Sequence, residues 1–511
     1  MLYPLATIIF LILVAGVLAL GFAAGRWKPG GQTHGDLANI EEWGLGGRRF
    51  GTWVSWFLIG GDAYTAYTFI AIPALMFGAG AVGFFAMPYT VLIYPILYVV
   101  FPKLWRVAKA HGYITAPEFV RGRYGNRWLA LAIGITGIAS TMPYIALQLI
   151  GMQIVIAALG LPGHIPLIIA FAVLAGFTWT TGLRAPAMIA IVKDLLIYLT
   201  VIAAIIVIPM ELGGFGAIFA KISPAKLLLA VPKPGSGGAY TGYATLALGS
   251  AMALFLYPHT MTGILSSAGP RVIKRNAVLL PAYSIMLGLL ALVGFMAVAA
   301  GVKTMPQFAA GFAHYGANFA IPALLINSFP EWFVGIAFGA IAIGALVPAA
   351  IMAIASANIF TRDIWTQFVH SPGHHTETLA AKIFAIFMVI GAVVFILAMP
   401  ATYAVQLQLL GGMWIIQTFP AVVISLFTRF FNGWALLLGW AAGIGSATWL
   451  VALNHFSGSI WAFHVLSYTL PSYIAFATVL LNAAVAAVLS PVFNAIASDR
   501  VADETAAADY V

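Results

Sequence analysis

The sequence predicts an all-α polytopic membrane protein with about 13 transmembrane helices. Three observations carry that reading. The 511 residues are 62% hydrophobic and only 7% charged, which no soluble domain matches. Apolar runs long enough to cross a bilayer, about 20 residues each, recur from end to end. The runs are continuous rather than alternating, which argues against a barrel and leaves helices to satisfy the backbone in lipid. With zero cysteines, disulfides and thiol chemistry are excluded.

Thirteen candidate spans follow, at about 4–24, 50–77, 82–102, 128–159, 163–181, 185–209, 244–268, 273–302, 330–357, 376–399, 402–428, 431–454 and 466–490. The first is too long for a signal peptide, and its basic residues, Arg26 and Lys28, follow the apolar run. It reads as a retained span with its N-terminus outside. Alternation of the loops then puts 18 of the 23 lysines and arginines on the cytoplasmic side. The exceptions are Lys221, Lys226, Lys233 and Lys303 outside, and Lys193 within a span. That asymmetry supports an outer N-terminus and an inner C-terminus. It also assigns the net charge of +9 to topology, not to nucleic acid. The acidic tail 498–511 reads as disordered. No Walker-type loop and no cofactor motif appears.

Few charges remain inside the membrane: Asp62, Lys193 and Asp194, with the imidazole of His259. An intramembrane charge needs a partner or a water-filled cavity and marks a functional site by default. Lys193 and Asp194 are adjacent, so they leave a helix about 100° apart and do not reduce to one simple pair. Asp62 follows Gly60-Gly61 in "LIGGDAYTAYTF" (58–69), where glycines permit a helix break. There it serves either as a cap for freed amides or in coupling. A matching interruption lies in span 7, "ALFLYPHTMTGILSSAG", around Pro258 and His259. Breaks in corresponding spans of two halves are the sequence pointer to a transporter's binding site, and spans 2 and 7 are five apart.

Three stretches, "ITAPEFVRGRYGNRW" (114–128), "TTGLRAPAMIAIVKDLLIY" (180–198) and "SANIFTRDIW" (356–365), together make the chain resemble the sodium:solute symporter family over essentially its whole length. The stretch "LYPHTMTGILSSAGPRVIKRNA" (256–277) is similar to the bacterial uptake permeases for short monocarboxylates such as lactate, pyruvate and acetate. The resemblance implies a LeuT-type fold of five-plus-five inverted repeats with broken second and seventh spans. The chain then divides into an N-terminal helix and inner loop (1–49), a first repeat (50–209), an outer loop (210–243), a second repeat (244–428), two additional helices (429–497) and the tail. It also implies a bacterial cytoplasmic membrane.

Carried over by position, the family's sodium site falls on the carbonyls of Gly61 and Tyr64, a carbonyl at Gly344, and a hydroxyl pair at Val347 and Pro348. Neither Val347 nor Pro348 has a side-chain oxygen, and sodium requires oxygen ligands. The nearest hydroxyl, Ser356, is two turns on, roughly 12 Å along a helix. The site therefore reads as degenerate. In proton-coupled relatives of this fold an ammonium on the sixth span can stand where sodium would. A lysine held away from water is a ready proton carrier. This makes Lys193 the stand-in, with Lys193, Asp194 or both carrying the coupling proton; a fixed structural cation is the alternative.

Substrate contacts are expected from Tyr64, Thr65, Tyr67 and Thr68 on span 2, Gln148 on span 4 and His259 on span 7. Trp53, Trp56 and Trp414 are candidate walls or gates. The histidines of "VHSPGHHTE" (His370, His374, His375) read as a solvated loop. The expected function is therefore proton-coupled import of a short monocarboxylate, without enzymatic activity. A sodium-coupled symporter of an amino acid or other organic solute is the alternative within transport; a membrane solute sensor is the alternative of another class.

Overall fold

In the computed structural model, residues 2–26, 39–61, 64–161, 165–369, 373–398, 404–496 and 503–510 are described. Among these, 11 helices are long and apolar enough to cross a membrane, or up to 12 if one bent pair is a single span. Spans 1, 4, 6 and 8–13 each meet such a helix. Spans 2 and 3 run together beyond the first break, as Tyr67–His111, because the turn at Gly80–Phe85 stays helical. Span 5 is a shorter helix, Ile168–Thr180, and span 7 is the bent pair. An additional apolar helical stretch, Pro306–Ser328, lies between spans 8 and 9.

Both breaks have local causes. In span 2, the helix Thr52–Gly61 stops at the glycine pair, and the chain resumes as a π-helical turn, Tyr67–Ala71, before Ile72–Ala79. Gly60 is required by a close approach: a Cβ there would lie 2.5 Å from the Tyr283 ring. In span 7, Gly238–Leu254 and Pro258–Leu265 meet at 51°. Pro258 occupies the first turn of the second half, where its missing N–H and fixed φ suit a helix start.

Span 9, Glu331–Ile359, forms the centre. Of its most apolar window 94% is buried, against 28% for the outermost spans Pro4–Ala24 and Ile474–Ile496. It packs on spans 1, 4, 6 and 10. Span 6, Arg184–Leu212, buries Ile189, Ala190, Lys193, Asp194, Ile197, Val201, Ala204 and Ile208, a stripe at helical spacing, and exposes Leu195, Leu199, Ile202 and Ile206. Adjacent Lys193 and Asp194 both fall within this wide stripe.

Two expectations need correction. The predicted span at 466–490 begins instead in a hairpin, β1 (Ile460–Val465) and β2 (Tyr468–Tyr473), and its helix starts at Ile474. The segment is rich in aromatic and β-branched residues with Pro471, which suits a strand better than a helix. The tail, expected to be disordered, is docked over 503–510. Asp503 pairs with Arg123, the Glu504 N–H donates to Gly122 O at 2.9 Å, and Asp509 Oδ2 lies 2.9 Å from His111 Nε2. Its acids meet basic and backbone partners that are distant in sequence, so composition alone gave no sign of them.

Candidate functional site

The freed carbonyls of the first break face span 6. Lys193 Nζ donates to Gly61 O at 2.7 Å and to Tyr64 O at 3.1 Å. Its third neighbour is Asp194 Oδ1 at 2.9 Å, with both side chains fully buried. That contact is an ion pair by distance but lacks hydrogen-bond geometry, so Oδ1 accepts no hydrogen bond among the described residues. Neighbours leaving a helix about 100° apart produce this arrangement: the long lysine stem curls back toward the carboxylate, which aims elsewhere. Asp194 Oδ2 accepts from the Tyr283 hydroxyl at 2.6 Å.

An aromatic wall closes round the pair. Tyr64 donates to Tyr283 O at 3.1 Å, and its ring lies 4.7 Å from Tyr283 and 5.8 Å from Tyr198. Trp56 packs on Tyr283 at 4.6 Å. Sequence reasoning missed Tyr283 and Tyr198. A tyrosine inside an apolar run carries no local signal of the carboxylate it will meet.

The positions of the family's sodium ligands can be tested against these contacts. Gly61 O and Tyr64 O are both taken by the ammonium. Gly344 adjoins the same spot, since a Cβ on it would lie 3.9 Å from Tyr64 O. Val347 and Pro348 are buried in span 9 and bring no oxygen. Ser356 Oγ is buried without a hydrogen-bond partner among the described residues, but two turns farther along. Lys193 Nζ thus occupies the carbonyls at these positions, and the side chains at Val347 and Pro348 offer no oxygen.

Most of the remaining polar groups of the first break are satisfied from within, Tyr67 OH excepted. Gln148 Oε1 accepts from Ala66 N at 2.9 Å, Thr65 Oγ1 accepts from Tyr67 N, and Thr68 Oγ1 donates to Thr65 O. Thr65 and Thr68, expected at the substrate, thus hold the break itself. Asp62, expected as a cap of the break or in ion coupling, lies outside the described residues, as does His370.

Spans 2, 4, 7 and 11 retain unused buried groups. Gln148 Nε2, Tyr67 OH, both ring nitrogens of His259, Thr260 Oγ1 and Gln408 Oε1 are buried with no hydrogen-bond partner among the described residues. His259 stands edge-on to Tyr144 and tilted to Tyr257, each at 5.4 Å between ring centres. Tyr257 OH donates to Gln408 O at 3.0 Å, which brings span 11 to the second break. Buried polar atoms are rarely left unpaired, and the donors among them, Gln148 Nε2, Tyr67 OH, Thr260 Oγ1 and a His259 N–H, suit a small polar anion, whereas Gln408 Oε1 is an acceptor. Thr260 and Gln408 were not foreseen; Gln408 could have been found as a polar residue within an apolar span, the signal that singled out Gln148.

The tryptophans divide. Trp56 joins the aromatic wall, Trp414 Nε1 donates to Thr448 Oγ1 at 3.2 Å, and Trp53 is 70% exposed and forms no wall. His374 and His375 are exposed in the first turn of His374–Ala398.

Residues 43–443 match the model of the sodium:solute symporter family. A monocarboxylate transport permease protein of Rhizobium johnstonii is 48% identical over 455 residues, covering 87% of this chain and 88% of that one. An uncharacterised symporter of Bacillus subtilis is 32% identical, covering 89% of each. Among solved structures, a Na⁺-coupled sialic acid symporter in a substrate-bound outward-open state superposes with a TM-score of 0.76 at 14% identity, covering 96% of this chain and 98% of that one.

Proposed function

Because the chain belongs to the sodium:solute symporter family, and so is a multi-pass membrane transporter of LeuT-type fold, we propose that it imports short monocarboxylates such as lactate, pyruvate or acetate by proton symport. Lys193 stands where the family's sodium stands. The substrate class rests on the 48% identical permease. The coupling rests on one observation, the ammonium of Lys193 donating to the carbonyls of Gly61 and Tyr64.

The geometry suggests how the two halves cooperate. With three protons, Nζ donates to both carbonyls and keeps its charge against Asp194. A proton passed from Lys193, or taken up by Asp194, weakens that set and frees the first break to move against span 6. Tyr283, bonded to Asp194, feels the same change. The substrate carboxylate is received by the unused donors Gln148 Nε2, Tyr67 OH and His259. Anion plus proton is neutral, so the cycle moves no net charge. The orientation is N-terminus outside and C-terminus inside, in a bacterial cytoplasmic membrane.

The test is uptake of labelled lactate or pyruvate into proteoliposomes, with inward proton and inward sodium gradients imposed separately. Accumulation driven by protons without sodium is the expected result. Accumulation only with sodium overturns the role given to Lys193, and absence of accumulation under either gradient favours a sensor.

A further inference from the structure

Away from both breaks, a cavity of about 480 Å³ opens where spans 4 and 12 begin. Its lining includes Arg123, Arg127, Arg429, Asn126, Trp128 and Trp434, with Asp503 of the tail as its acid. Two helices point their N-termini at it: Arg127–Ala158, capped by Asn126, and Gly433–Leu453, capped by Asn432. Each adds positive partial charge to that of the arginines.

A helix end alone does not make a site; here buried side chains point the same way. Arg123 is 6% exposed and Asn126 7%. Yet Arg123 Nε and Asn126 Nδ2 have no hydrogen-bond partner among the described residues. Unpaired buried donors are costly, so the site is short of an acceptor. Its depth is marked by Trp128 and Trp434, first-turn residues that are each 49% exposed, as at a membrane–water boundary.

We propose that this cavity binds the phosphodiester headgroup of an anionic phospholipid, and that Asp503 competes for the same arginines. The carboxylate of Asp503 pairs with Arg123 and lies 4.0 Å from Arg429 Nε. Only its Oδ2 faces these guanidinium groups, since Oδ1 accepts from Thr505 N and Oγ1, where a phosphodiester brings two free oxygens that can serve the arginines and Asn126 together. Lipid binding releases the tail, and the docked tail excludes the lipid. Basic pockets between spans at the cytoplasmic boundary take such headgroups by charge and donor geometry.

The test uses the full-length protein in detergent, titrated with phosphatidylglycerol, with phosphatidylcholine or with inorganic phosphate, and read by thermal shift and by native mass spectrometry. Phosphatidylglycerol is expected to bind saturably. The double variant Arg127→Gln/Arg429→Gln should weaken it by about tenfold or more, while Asp503→Asn strengthens it several-fold. Arg275→Gln, a basic loop change on another element, should leave it unchanged and controls for bulk charge. Equal binding by the double variant and the parent overturns the site, as does a phosphatidylcholine response equal to that of phosphatidylglycerol. A matching shift from inorganic phosphate overturns the lipid as its ligand.

Discussion

At the first break, most polar groups are in use, Tyr67 OH being the exception within the turn. The carbonyls of Gly61 and Tyr64 go to Lys193, the Ala66 N–H goes to Gln148, and Thr65 and Thr68 bond the turn they stand in. At the second break, His259 and Thr260 stand buried with nothing hydrogen-bonded to their side chains among the described residues. Both interruptions free backbone and polar groups in an apolar setting, where an unsatisfied group is costly. One is largely saturated from within by a charge that the protein carries itself. The other keeps its capacity for something that arrives. The difference accords with the proposed division of labour, in which an internal cation holds the first break and the second, with Gln148 and Tyr67, receives the substrate.

The largest test of this contrast is Lys193→Ala. Removing one member of a buried ion pair costs about 3–5 kcal/mol, here with two carbonyls also stripped of their donor. Thermal unfolding should show that loss, and proton-driven uptake should disappear. Uptake that persists with its pH dependence intact would dissolve the division.

Gln148→Leu straddles the two regions. It deprives Ala66 N–H of its acceptor, costing about 1–3 kcal/mol, and removes the unused amide donor. We expect a lower melting temperature together with a raised KM; a change in only one of them would place Gln148 wholly on one side of the comparison.

His259→Phe isolates the second break. No protein hydrogen bond is lost, and the aromatic packing on Tyr144 and Tyr257 can persist, so stability should change little. One hydrogen bond to substrate corresponds to a KM roughly threefold to tenfold higher. A marked fall in melting temperature with KM unaltered would make the histidine structural.

The smallest effect lies at the tail. Hydrogen bonds from His111 and from the Ala506 N–H hold the Asp509 carboxyl below its usual range. A depressed carboxylate contributes to docking fully above its free value and ceases to as pH falls through the docked one. Carboxypeptidase trimming of the tail should therefore be slow near neutrality and speed up below about pH 4. Asp509→Asn should speed it at neutral pH; a rate independent of both would mean that the other tail contacts suffice.

Hydropathy, the glycine pair and Pro258 were enough to read the helical class, the positions of most spans and both breaks, because apolar length and helix interruption are local properties of the chain. The same holds for the placing of Lys193 and Asp194 in the membrane, and for the missing hydroxyls at Val347 and Pro348. Partners were another matter. Lys193 reaches a carbonyl 132 residues away and Tyr283 reaches a carboxylate 89 residues away, and neither contact leaves a local trace. Thr65 and Thr68 looked like ligand groups because residue type does not say whether a hydroxyl will turn to a substrate or to its own backbone. The hairpin at 460–473 hid in an apolar run, since hydropathy alone does not separate a strand from a helix. The sequence determined which groups enter the membrane and where the helices fail. Only the tertiary structure decided which of those groups are satisfied there, because a buried hydrogen bond depends on the packing of elements that the chain brings together from far apart.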